Sequence, residues 1–155
     1  MTVTLQTMAG ERLAEWLDRS RAHYIESRRA AGETLEQAEA NAAKTDGLYF
    51  RDGRPVEGQH VYTVHAPDGR DVGELWIGVI DAASRGWWVF DVEIVEAERG
   101  HGFGRAAMQL AEAEAARLGA ATLGLNVFGF NTVARGLYES LGYETTAVQM
   151  RKPVG

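Results

Sequence analysis

The sequence contains no cysteine, which removes disulfides, thiolate nucleophiles and cysteine metal sites from consideration and suits a reducing, cytoplasmic setting. No apolar run approaches the length of a membrane-spanning helix, and the first residues lack the basic-then-apolar pattern of a secretion signal. Neither export nor a membrane partner is therefore expected. Positive charge is also in short supply: 16 Lys and Arg stand against 22 Asp and Glu, a net charge of -6. That balance argues against nucleic acid as a partner and mildly favours cationic ligands. Prolines number only three, and no linker, repeat or low-complexity tract divides the chain. What is present, 155 residues of which 45% are hydrophobic and 25% charged, fits one domain over 1–155 with a continuous core. No metal site is expected, since His60 and His65 are an odd number of residues apart on one strand and point to opposite faces.

Periodicity supplies the elements. Alternation predicts a strand over 3–8, and the helical spacing of Leu13, Trp16, Leu17, Tyr24 and Ile25 predicts a helix over 11–29. Gly32 ends it and a second helix follows over 34–44. Residues 46–59, with Gly47, Gly53, Pro55 and Gly58, show no sustained period and are expected to form a long loop walling an acceptor site. Strands are expected over 60–65, 72–80, 87–95, 122–127 and 143–150, with a hairpin turn at Pro67-Asp68-Gly69. Phe103, Ala107, Leu110, Ala111, Ala115 and Leu118 mark an amphipathic helix, and a last one starts at an Asn131 or Thr132 cap and ends at Gly142. The pattern is that of one mixed α/β domain.

The centre of the sequence is Glu93 to Ala107, where Gly100, Gly102 and Gly104 lie between an apolar strand and an alanine-rich helix. Alternate glycines let backbone N–H groups approach a ligand, and the helix start adds unpaired donors and a positive dipole end. This is the composition of a phosphate cradle, with Arg99 and Arg105 able to add cations beside phosphate oxygens. It is not a P-loop, because the glycine spacing and the Gly-Lys-Ser/Thr ending are missing. Gly102, Gly104 and Ala107 do fit G-x-G-x-x-A, but no Asp or Glu lies between Glu114 and Glu139 to hold a ribose, which removes the dinucleotide reading.

Arg99-x-x-Gly102-x-Gly104 resembles the R/Q-x-x-G-x-G/A motif of the GCN5-related N-acetyltransferase superfamily. Asn131-x-x-Ala134-x-x-Leu137-Tyr138-x-x-x-Gly142-Tyr143 is similar to that superfamily's second block, in the right order and separated by a β-run. The resemblance covers 87–150 well and 72–80 loosely, and little of it reaches 1–60. It implies a mixed, mostly antiparallel sheet flanked by helices, with acetyl-CoA as co-substrate and an amine acceptor attacking directly; it also makes a homodimer an open possibility. The residues it points to for the cofactor are Ile94, Val95, Arg99, Gly100, His101, Gly102, Phe103, Gly104, Arg105, Asn131 and Tyr138. His101 would contribute through its backbone, and Tyr138 would face the cofactor sulfur and protonate the departing thiolate. Ribosomal-protein N-terminal acetyltransferases of the superfamily carry a catalytic Glu in a Leu-Glu-Val segment that here reads Leu125-Asn126-Val127, so that substrate class does not fit.

An alkyl ammonium must lose a proton before it can attack, so a base is required. Strand alternation puts Trp88, Phe90, Val92 and Ile94 on one face of 87–95, and Trp87, Val89, Asp91, Glu93 and Val95 on the other. Asp91 and Glu93 are like charges two residues apart, just before the cradle. Proximity and partial burial would push such groups towards base duty. Glu93, nearer the cradle, is the first choice and Asp91 the second. The alternative function is a CoA-binding module that senses without turnover, which would need the cradle but neither carboxylate.

Overall fold

A computed structural model describes residues 2–155. Its framework is a five-stranded sheet in the order β1 (Thr4–Thr7), β4 (Gln59–His65), β5 (Asp71–Asp81), β6 (Gly86–Ile94) and β7 (Thr122–Leu125). The first four are mutually antiparallel, and β7 alone runs parallel to its neighbour β6. A parallel neighbour requires a crossover, and α3 (Phe103–Arg117) provides it. The mixed, mostly antiparallel sheet flanked by helices is thus the architecture the sequence led us to expect.

Two apolar clusters cover the two faces. On one, Ala107, Met108, Ala111 and Ala115 of α3 pack against Val64, Leu75, Ile77, Trp87, Val89 and Ile94. Alanines at steps of three and four let this helix lie close to the sheet. On the other, Leu13, Trp16 and Leu17 of α1 (Gly10–Ala30) pack against Val61, Trp76 and Phe90. Glu74 of β5, only 5% exposed, accepts from Arg19 Nη2 at 2.7 Å and Arg12 Nη2 at 3.1 Å and so fastens α1 to that face. α2 (Leu35–Tyr49) starts with a capping box in which Thr34 Oγ1 accepts from the Gln37 N–H and the Gln37 side chain accepts from the Thr34 N–H.

Three expectations change. The 46–59 segment is not an open loop: α2 runs on through Gly47 to Tyr49, and β2 (Phe50–Arg51) and β3 (Arg54–Pro55) then form a tight hairpin. Asp52 (φ 53°) and Gly53 (φ 74°) make its turn, the Asp-Gly signal of a two-residue hairpin. Residues 143–150 do not form a strand here: after α4 (Thr132–Ser140) and Tyr143, the chain runs exposed to Gly155 without regular structure. Strict alternation along β6 also fails. Val89 pairs with Ile77 and Asp91 with Trp76, which leaves Phe90 as the extra residue of a β-bulge. The bulge resets the phase, so Val89 shares the α3 face with Val92 and Ile94, while Phe90 and Asp91 both turn towards α1.

Candidate active site

The parallel pairing of β6 with β7 runs from Gly86↔Thr122 to Val89↔Leu125 and stops at the bulge. Beyond it, β6 continues to Ile94 with β5 on one side and, among the described residues, no strand on the other. The two strands therefore part here, and the second half of β6, the start of α3 and the side of α4 border the parting. The candidate residues fall on these three borders.

At the first border, Asp91 lies beside the aromatic cluster of the α1 face. Trp16 Nε1 donates to Asp91 Oδ2 at 3.4 Å, Trp76 is its cross-strand partner, and Phe90 stacks on Trp76 with ring centres 4.5 Å apart. This surrounding burial, followed by the charges of Glu93 and Glu74, raises the Asp91 carboxyl from 3.8 to about 6; the Trp16 hydrogen bond and His23 oppose the rise. Glu93 stands opposite Glu74, and its carboxylate is 57% exposed and 3.7 Å from Arg99 Nη2. Ile94 is buried, and its carbonyl accepts from Arg99 Nε at 2.9 Å; Val95 is exposed and its N–H donates to the Val72 carbonyl.

The second border is the 99–105 turn. Gly100 and Gly102 have φ of 83° and 82°, a left-handed conformation that glycine adopts without strain, and a Cβ at either would meet open space. Gly102 caps α3 without any side-chain acceptor, and the first in-helix bond is Ala106 N–H to the Gly102 carbonyl. The N–H groups of Phe103, Gly104 and Arg105 thus open the helix without helical acceptors. Phe103 turns its half-buried ring onto the core, and His101 Nδ1 lies 3.0 Å from the Glu98 carbonyl. The two arginines are engaged within the chain: Arg99 on β6, and Arg105 donating from Nη2 to Ser140 Oγ at 2.7 Å. The free backbone donors fit a phosphate-bearing ligand such as CoA, and the arginine positions would need to re-aim to add to them.

The third border is α4. Asn131 caps it, its Oδ1 accepting from the Ala134 N–H at 3.2 Å. One helical turn past Ala134, Tyr138 is half-buried against the α3-side core and edge-on to Tyr143, 6.1 Å between ring centres. Burial raises its phenol above the ordinary 10, and the next cause is the charge of Asp91. The Asp91 charge thus reaches the Tyr138 phenol although the two side chains pack on opposite faces of the sheet. Tyr138 and the free α3 start lie on the α3 side of the sheet, Asp91 turns to the α1 face, and Glu93 lies at the solvent edge of the same strand.

Trp16 and Glu74 join the site although sequence reasoning assigned them no functional part; the helical spacing of Trp16 marked it only as core. The 46–59 segment does reach the Asp91 face, through Tyr49 and Phe50, whose rings lie 4.9 Å from Phe90 and 5.1 Å from Trp76. A hollow of about 410 Å³ along Arg51, Asp52, Arg54, Pro55, Val56 and Glu57 contains none of the candidate residues.

Comparison with known proteins agrees with this fold. The sequence profile of the "Acetyltransferase (GNAT) family" matches residues 11–143. The Bacillus subtilis protein named "Uncharacterized N-acetyltransferase YycN" is 29% identical over 98% of this chain and 99% of its own. Its crystal structure superposes with a TM-score of 0.84, covering 99% of both chains. A second Bacillus subtilis protein, "Uncharacterized N-acetyltransferase YdgE", is 28% identical over 98% of each. The fold also matches AAC(6')-Iy, solved with a bisubstrate analogue, CoA-S-monomethyl-acetylneamine, at a TM-score of 0.59 and 13% identity over 99% of this chain and all of that one. This chain belongs to the acetyltransferase (GNAT) family of acyltransferases.

Proposed function

We propose that the protein is an acetyl-CoA-dependent N-acetyltransferase, a single cytoplasmic domain that acetylates a primary amine of a small molecule or peptide by direct attack. The observation that carries this reading is the unpartnered N-terminus of α3 beside the parting of β6 and β7, with the desolvated Asp91 on the same stretch of β6. CoA phosphates fit the N–H groups of residues 102–105, with Gly100 and Gly102 keeping the approach clear. Bound there, acetyl-CoA supplies an acyl group on a thioester.

The chain's own residues do the rest. Asp91, with its carboxyl raised to about 6, is ionised at neutral pH yet basic enough to take a proton from the acceptor's ammonium, directly or through water. The freed amine forms the new N–C bond as the C–S bond breaks. Tyr138, whose phenol holds its proton well past neutrality, can give that proton to the leaving sulfur. Glu93 fits a different part: at the solvent edge it offers a charge that attracts a cationic acceptor and raises Asp91. The exposed position of Glu93 favours Asp91 over it as base.

Thiol release from acetyl-CoA, measured with a panel of polyamines, aminoglycosides, amino acids and peptide amines, tests the proposal. Turnover with one acceptor class is the expected result. Tight CoA binding with no turnover across the panel would favour a sensing module instead.

A further inference from the structure

Trp76 has two neighbourhoods on the α1 face. It is the cross-strand partner of Asp91, and with Phe50 it also floors a narrow crevice of about 50 Å³ between α1 and α2. The rim of that crevice is polar: Ser20, Arg21 and Tyr24 come from α1, Thr45 and Asp46 from α2. Thr45 Oγ1 donates to the Tyr24 hydroxyl at 3.3 Å and ties the two helices together there. The three α1 residues follow Trp16, whose Nε1 donates to Asp91, by one to two helical turns. At about 1.5 Å per residue they stand about 6 to 12 Å along the helix from Trp16.

Arg21 Nη1 lies 3.6 Å from Asp46 Oδ2, too far for a hydrogen bond, and neither side chain makes one elsewhere among the described residues. A guanidinium and a carboxylate side by side, each with free capacity, match a zwitterion: one takes a carboxylate and the other an ammonium. The lone cation at the far end of a diamine would be drawn by Asp46 but repelled by Arg21. The surface shared by this crevice and Asp91 is aromatic, with the rings of Trp16, Trp76 and Phe50 centred 5.1 to 5.9 Å apart. Both indole N–H groups are already donated, to Asp91 and to Gln59, so the rings offer an aliphatic stem contact without a hydrogen bond. From ω-nitrogen to carboxylate carbon, an extended ornithine or lysine spans about 6 to 8 Å, which matches the spacing along α1.

We infer that the acceptor is a free basic amino acid of the lysine or ornithine type, its α-amino-carboxylate head held by Asp46 and Arg21 and its ω-amine presented to Asp91 along the Trp76 and Phe50 rings. The inference rests on the acetyl-transfer reading above. The ω-nitrogen gives up a proton to Asp91 and bonds to the acetyl carbon as the C–S bond breaks, and CoA leaves as its thiol once the sulfur takes a proton. A crevice this small has room for one head group, which disfavours the flanking residues of a peptide.

Calorimetry with CoA present tests the site. L-Lysine or L-ornithine should bind, and cadaverine or putrescine, which keep the stem and amine but lack the carboxylate, should bind at least about tenfold more weakly. Arg21→Gln and Asp46→Asn change side chains that are 49% and 40% exposed, so both variants should keep the circular dichroism of the parent. Each should weaken the amino acid by about tenfold or more, while Arg21→Gln leaves the diamine no weaker. In thiol release from acetyl-CoA the same loss should appear in KM, with kcat nearly kept. Failure of both amino acids to bind, a diamine bound as well as its amino acid, or unchanged affinity in Arg21→Gln overturns the inference. Turnover of another amine with no response to lysine or ornithine overturns it too, while leaving acetyl transfer standing. Arg21-dependent amino-acid binding without any thiol release would keep the head-group site and sink the transfer reading instead.

Discussion

Replacing Asp91 by Asn should make the protein more stable while disabling it. The carboxyl is raised from 3.8 to about 6 because ionisation takes place beside Trp16, Trp76 and Phe90 and near the charges of Glu93 and Glu74. Each tenfold change in that equilibrium corresponds to about 1.4 kcal/mol, so holding the ionised group at neutral pH costs about 3 kcal/mol, or about 1–3 kcal/mol once its partial access to water is allowed for. Asn has the same shape, is neutral, and can still accept from Trp16 Nε1. Since the folded value lies above the unfolded one, the folded protein binds more protons between 3.8 and about 6. The stability this confers is full below 3.8 and is lost as pH rises through about 6. Asp91→Asn should therefore gain about 1–3 kcal/mol in urea unfolding at pH 7.5 and almost nothing at pH 4, followed by tryptophan fluorescence. Turnover with a working acceptor should fall by about 10² to 10⁴ if the carboxylate is the base. An Asn variant no more stable at pH 7.5 than at pH 4, relative to the parent, would refute the burial argument, and one with full activity would refute the assignment of the base.

Glu93→Gln removes a like charge beside Asp91 and should move the acidic limb of kcat/KM to lower pH with activity at pH 8 largely kept; a loss of about 10² or more there would make Glu93 the base. Tyr138→Phe should lower turnover modestly at low pH and more at high pH, where solvent protons are scarce, with CoA affinity unchanged by calorimetry; an equal loss at every pH would point to packing. Gly104→Val should stay folded, because a Cβ there meets only Leu137 Cδ2 at 3.8 Å, yet weaken CoA by about tenfold or more through each backbone N–H it screens from phosphate. Unchanged affinity in the folded variant would remove residues 102–105 from the cofactor site.

Glycine spacing and helical period are enough to mark α3, α4 and the glycine turn at 100–102, because both are local properties of the chain. The 46–59 segment was misread because its order comes from tertiary contacts: Gly47 is poor helix material, and α2 is carried past it to Tyr49, whose ring rests on Phe90 and Trp76. Residues 143–150 have a strand's pattern, but a pattern specifies only a face to be covered and leaves the covering partner open.

The bulge at Phe90 is the feature the sequence concealed most completely and the one the site depends on most. Simple alternation separates Phe90 from Asp91 and sets both carboxylates on one face with Trp87, Val89 and Val95. With one extra residue in β6, Phe90 and Asp91 turn to the same side, which sets Asp91 among the rings of Trp16, Trp76 and Phe90. The same irregularity coincides with the end of the β7 pairing at Val89, so the strands part next to the carboxylate that has been desolvated. Glu93, two residues further and past the aromatic cluster, keeps its water. One inserted residue thus distinguishes two carboxylates that look equivalent in the sequence, and it makes Asp91, the second choice on spacing alone, the better candidate for the base.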